Sequence, residues 1–121
     1  MIGIGIDTVE LDRFRRAMAR TPGLAEKLFS DAERDYSFRR ADPTERLAVR
    51  FAAKEAVMKA LGVGLFAFAY RDVEVIRAEG GTPSLRLSGR ALDLAETRGV
   101  TKWHLSLTHT ERTAQAMVVA E

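Results

Sequence analysis

Two carboxylates stand where carboxylates are costly. Asp7 ends the run Gly3-Ile4-Gly5-Ile6-Asp7, in a segment whose small and apolar residues read as a buried strand. Glu55 interrupts an almost wholly apolar stretch between Leu47 and Leu61. An isolated ion in an apolar interior is strongly disfavoured, so each charge needs a counter-ion, a route to water or a ligand. Carboxylate oxygens are what magnesium prefers, and that ion takes one or two protein carboxylates alongside substrate phosphates. Lys59 lies one helical turn beyond Glu55 on the same face, and Arg50 and Lys54 add positive charge to the segment. The chemistry suggested is phosphate binding at a metal ion. The plainer alternatives stay open: an intrahelical Glu55–Lys59 pair, worth about 0.2–0.5 kcal/mol if exposed, and an Asp7 that merely begins a turn toward Asp12.

A third candidate is His109. Between Trp103 and His109 the alternation puts Trp103, Leu105, Leu107 and His109 on one face of a strand. His109 is therefore either a packed, hydrogen-bonded histidine or a site group. His104 points the other way and receives no role.

These residues need elements to hold them. Met1 to Val9 reads as a strand, and Asp12 caps a helix over Arg13 to Arg20 that Thr21-Pro22-Gly23 ends. Ser30 and Glu33 form a capping box, opening a helix to about Arg40. Asp42-Pro43-Thr44-Glu45 is a second start signal, with an acceptor at the cap and proline in the first turn. That helix runs to Leu61, ends at Gly62, and is apolar around nearly its whole circumference, the mark of a buried helix. Asp72 to Ala78 and Ser84 to Leu87 form a hairpin around Glu79-Gly80-Gly81-Thr82-Pro83. A helix then opens at Ser88 or Gly89 and closes at Gly99, before a last hairpin of Trp103 to His109 and Thr113 to Val119. The order is a strand, three helices, two strands, a helix and two strands. That predicts one α+β domain over residues 1–121, an antiparallel sheet packed against helices, one of them long and buried.

Composition narrows the function. The 121 residues suffice for a single modest core. With no cysteine, disulfides and thiol chemistry are excluded, and two histidines alone make no zinc site. No apolar run approaches the roughly 20 residues of a membrane span, and no signal peptide opens the chain, so a cytoplasmic location and no membrane contact are expected. The net charge of +2 is small, but Arg13, Arg15, Arg16 and Arg20 cluster near the start, and Arg34, Arg39 and Arg40 follow. Arginine's planar fork suits phosphate and carboxylate partners. A nucleic-acid binder is disfavoured, since no aromatic-rich recognition segment or helix-turn-helix signature accompanies the arginines.

Three strings together, Gly3-Ile-Gly-Ile-Asp7, Arg50-Phe-Ala-Ala-Lys-Glu-Ala56 with Lys59-Ala-Leu-Gly62, and Trp103-His-Leu-Ser-Leu-Thr-His109-Thr110, resemble the holo-[acyl-carrier-protein] synthases. These are the small, freestanding 4′-phosphopantetheinyl transferases, and the resemblance covers essentially the whole chain. It implies transfer of the 4′-phosphopantetheine arm of coenzyme A to a serine of an apo acyl carrier protein, with release of 3′,5′-ADP, in support of fatty acid biosynthesis. It implies Mg2+ held by Asp7 and Glu55, Lys59 beside the coenzyme A pyrophosphate, and Arg50 and Lys54 on the same binding helix. Gly81 and Pro83 fall in a Gly-x-Pro turn near the adenine nucleotide, and His109 lines the site. Glu55, a metal-bound water and His109 are alternative proton acceptors. Arg13 and Arg20 contact the acidic carrier. The resemblance also implies a homotrimer with sites at subunit interfaces, Asp7 of one chain meeting Glu55 of the next; Leu65 to Tyr70, with Phe66, Phe68 and Tyr70, is either part of such an interface or a loop tucked into its own core.

The chain departs from the pattern at Thr108, where many relatives have serine, and at Thr110, where some place an acidic residue. Contacts from Arg40 or Arg46 to phosphate rest on a poorly aligned loop. The rival enzyme reading is a magnesium-dependent phosphohydrolase using the same carboxylates, with water as nucleophile.

Overall fold

The computed structural model describes residues 1–77 and 80–121; the ends of the expected strand and turn at Ala78 and Glu79 lie outside them. In chain order the elements are β1 (Gly3–Glu10), α1 (Leu11–Arg20), α2 (Leu24–Leu28), α3 (Asp31–Ser37), α4 (Thr44–Leu61), a 3-10 turn (Tyr70–Asp72), β2 (Val73–Arg77), β3 (Pro83–Leu87), α5 (Gly89–Thr97), β4 (Trp103–His109) and β5 (Thr113–Ala120). The short α2 has no counterpart in the sequence reading. One antiparallel sheet has the order β1-β5-β4, and β2 pairs with β3 in a separate hairpin. The α+β architecture is as expected.

Helix α4 is the axle of the molecule. It packs on β1 and β5, and its Leu47, Ala52, Ala53, Val57 and Leu61 are buried. Each large apolar side chain buried this way stabilises the fold by about 1.5–3 kcal/mol before chain entropy is charged. Asp42 Oδ1 accepts hydrogen bonds from the Thr44 amide at 3.0 Å and its hydroxyl at 2.6 Å, one residue before the cap position, which Pro43 occupies. Gly62 closes the helix with φ at 70°, a conformation that side chains resist. The capping box at Ser30 and Glu33 forms, but its helix stops at Ser37 instead of Arg40.

The first strand corrects the sequence reading. It is buried on one face only, and its glycines, not its isoleucines, face the helix. A β-carbon on Gly3 would stand 1.8 Å from the Ala60 carbonyl oxygen, and one on Gly5 would stand 1.9 Å from that of Ala56. Backbone-to-backbone packing of this kind is possible only without side chains. The isoleucines therefore point away: Ile4 is 55% and Ile6 58% exposed, beside Met117 at 41% on β5.

Candidate active site

The glycine register decides where Asp7 goes. Two strand residues advance about 6.6 Å, close to the roughly 6 Å of four helical residues. Gly3 against Ala60 and Gly5 against Ala56 thus bring Asp7, next on that face, toward the preceding turn of α4. There it meets the charged face of the helix. Lys59 Nζ donates to Asp7 Oδ1 at 3.2 Å and to the Ile6 carbonyl at 2.9 Å. Glu55 and Asp7 line one cavity of about 590 Å3, together with Glu10, Arg13, Phe14, Phe51 and Tyr70.

Tyr70, which the sequence reading placed only in a candidate interface, belongs to this cavity. Its hydroxyl donates to Glu55 Oε1 at 2.7 Å, and its ring stacks on Phe51 at 5.5 Å. Burial, the hydrogen bond to Glu55 and the charges of Glu55 and Asp7 all push the phenol well above its ordinary range, so it remains a proton donor. Nothing in the sequence around Tyr70 marks it, because the pairing depends on a loop folding back over α4. The rest of the expected Leu65-to-Tyr70 interface divides: Phe68 is 4% exposed and sits in the core, whereas Phe66 is 90% exposed.

The four charges of α4 find four different solutions. Lys59 is exposed and reaches Asp7, and Glu55 takes the Tyr70 hydroxyl. Lys54 is sealed in the core, where Nζ donates to Glu33 Oε1 at 2.8 Å, to the Tyr70 carbonyl at 3.1 Å and to the Val73 carbonyl. All three of its protons are therefore committed, and the expected role in binding coenzyme A is corrected to that of a strut between α3, α4 and β2. Arg50 is buried under Tyr36, with its guanidinium 4.6 Å from the ring centre and one nitrogen donating to the Arg46 carbonyl. Among the described residues its Nε has no hydrogen-bond partner.

Arg50 faces a second cavity of about 330 Å3, lined also by Arg40, Arg46, Arg77, Thr108 and His109. Here His109 Nε2 lies 3.2 Å from Glu45 Oε1. The residues expected to form one site thus fall in two places: Asp7, Glu55, Lys59 and Arg13 in and beside the first cavity, Arg50 and His109 in the second. Asp7 and Glu55 line the same cavity of one chain, where the resemblance implied that they join across a subunit boundary. Pro83 pairs with Arg77, which lines the second cavity. Arg13 and Arg20 are exposed on α1. His104 stays outside both cavities and contacts Glu121.

The first cavity can hold a hard cation. Among the described residues, the side-chain hydrogen bonds of Asp7 and Glu55 run through Oδ1 and Oε1 alone. Each carboxylate so keeps a second oxygen, the hard donor set that magnesium shares with substrate phosphates. The second cavity sets Arg40, Arg46, Arg50 and Arg77 against one carboxylate, Glu45, an excess of positive charge that suits an anion. Among the described residues no helix is long and apolar enough to cross a membrane.

Residues 3–118 match the family model of the 4′-phosphopantetheinyl transferase superfamily. The holo-[acyl-carrier-protein] synthase of Frankia alni is 50% identical over 123 residues, covering 100% of this chain and 98% of its own. Among solved structures, the holo-[acyl-carrier-protein] synthase from Neisseria meningitidis superposes with a TM-score of 0.90 at 33% identity, covering 100% of this chain and 99% of the other. The Helicobacter pylori holo-[acyl-carrier-protein] synthase in complex with coenzyme A superposes with a TM-score of 0.84 at 28% identity, covering 98% of this chain and 99% of the other.

Proposed function

The chain belongs to the 4′-phosphopantetheinyl transferase superfamily, and from that premise we propose that it transfers the 4′-phosphopantetheine arm of coenzyme A to a serine of an apo acyl carrier protein. The observation that carries the reading is that Asp7 and Glu55 line one cavity, with Lys59 on Asp7.

Asp7 and Glu55 would hold Mg2+. When bound, that ion would neutralise charge on the substrate phosphates. In the reaction the serine oxygen forms a bond to the β-phosphorus of coenzyme A. The bond from that phosphorus to the bridging oxygen breaks, and 3′,5′-ADP leaves with the electron pair. The serine proton passes to a base, for which Glu55 and His109 are the candidate side chains. Lys59 stabilises charge developing on the phosphates. Arg40, Arg46, Arg50 and Arg77 supply the cationic wall for the nucleotide phosphates. Arg13, at the mouth of the first cavity, and Arg20 on the same helix steer an acidic carrier.

One coenzyme A molecule needs both the carboxylates and the arginine wall, which lie in different cavities of a single chain. A homotrimer that apposes the first cavity of one chain with the second of its neighbour completes the site. The exposed Ile4, Ile6 and Met117 on the outer sheet face support such an assembly, since an apolar sheet face is costly to leave in water.

The test is the intact mass of an apo carrier incubated with coenzyme A, Mg2+ and this protein. Gain of one phosphopantetheinyl group is the expected result, and Glu55→Gln should lose it while remaining folded. Hydrolysed coenzyme A with an unmodified carrier would replace the proposal with a phosphohydrolase.

A further inference from the structure

The most informative contact outside the assigned machinery is the one made by Tyr70. Phe51 and Glu55 are four residues apart on α4 and so share a face. The Tyr70 ring lies along that face, stacked on Phe51 with ring centres 5.5 Å apart and planes inclined by 26°. Phe51 is itself braced by Phe14 at 5.7 Å. At the other end of the residue, the Tyr70 carbonyl accepts a hydrogen bond from the buried Lys54 ammonium at 3.1 Å. Ring and backbone are thus both fixed, and the hydroxyl arrives at Glu55 Oε1 at 2.7 Å with little freedom to be elsewhere.

A glutamate has three side-chain torsions, and an unheld carboxylate spends much of its time misaligned. A phenol that occupies one oxygen removes that freedom and leaves Oε2 for a cation. We propose that Tyr70 is a positioning residue for this reaction, orienting Glu55 through its hydroxyl so that the carboxylate meets the metal in one geometry. The inference rests on the reading that Glu55 is a metal ligand. Partners that orient a ligand in this way typically change metal affinity or activity by about 10–100-fold when removed.

Tyr70→Phe is the suitable variant, because it keeps the stack on Phe51 and the carbonyl that receives Lys54 and removes only the hydroxyl. Full-length wild-type protein, Tyr70→Phe and Glu55→Gln are titrated with Mn2+, following the free-ion paramagnetic resonance signal, and with Mg2+ by calorimetry. Turnover of apo carrier is then measured over a range of coenzyme A concentrations up to saturation. The expected result for Tyr70→Phe is a metal dissociation constant raised about 10-fold or more, a lower kcat, an unchanged KM for coenzyme A and a thermal midpoint near that of wild type. A lower midpoint with unchanged metal affinity would make Tyr70 a packing residue only and overturn the proposal. Loss of metal binding in Glu55→Gln with none in Tyr70→Phe would also overturn it, while leaving the metal assignment intact. Unchanged metal binding in Glu55→Gln would remove the underlying reading, and the positioning role with it.

Discussion

Gly5 lies so close to Ala56 that a β-carbon on the glycine would stand 1.9 Å from the alanine's carbonyl oxygen. The neighbour is helix backbone, which cannot swing aside as a side chain can. This contact sets the depth at which β1 lies on α4, and Asp7 follows two residues later on the same face.

Gly5→Ala should therefore cost at least about 1–3 kcal/mol of stability through overpacking. Transfer activity should fall further than the unfolded fraction explains, because a displaced β1 carries Asp7 away from Glu55. Urea unfolding and the carrier mass assay, run on the same preparation, check both parts.

Lys54→Met should destabilise the protein by about 3–5 kcal/mol, since Glu33 would be left as an unpaired buried charge. Adding Glu33→Gln to that variant should recover part of the loss. Urea unfolding of the two single variants and the double variant measures the coupling. Additive losses would mean that the ion pair contributes nothing as a pair.

Asp42 gives a pH dependence with a definite sign. The Thr44 hydroxyl, then the Thr44 amide, hold its carboxyl below the ordinary value of 3.8. The folded state so binds fewer protons than the unfolded one, and the stabilisation is complete above that ordinary value and lost as pH falls through the lowered one. At neutral pH Asp42→Ala should cost about 1 kcal/mol through loss of its hydrogen bonds to Thr44. The gap between wild type and variant should close below pH 3.8 in urea melts at successive pH values.

Ile6→Asp places a charge on the exposed apolar face of the sheet. If that face joins subunits, the variant should sediment as a smaller species and lose about 2 kcal/mol or more of association energy per contact. Transfer should fail while circular dichroism remains native. Unchanged sedimentation would exclude this face from any assembly.

Arg13→Ala should raise the KM for the carrier roughly 3- to 10-fold at low salt, with the KM for coenzyme A little changed. The difference should shrink as salt is added, because exposed charges are screened beyond about 10 Å at 0.1 M. Equal effects on both constants would argue against carrier docking at α1.

Local chemistry was legible in the linear chain. The capping box at Ser30, the stop at Gly62, the hairpin from Trp103 onward and the all-round apolar character of α4 depend on residues within a few positions of one another. The family motifs identified Asp7, Glu55 and Lys59 as candidate site residues for the same reason: they are short strings. What the sequence could say of the α4 charges was only that each required a partner.

Which partner each received was a matter of long-range packing. Lys54 resembled a ligand-binding residue until α3 brought Glu33 over it, and the Ile-rich strand read as buried until its glycines turned inward against the helix. Tyr70 reached Glu55 because a loop folded back along Phe51. Arg50 lies on another face of α4 than Glu55, and His109, at the end of β4, lines the same second cavity apart from the carboxylates. Residue types and short spacings thus determined what chemistry the chain can perform, since caps, periodicity and charge are local properties. Contacts between distant segments decided which charges are free to perform it, since burial and hydrogen-bond satisfaction exist only once the chain has closed on itself.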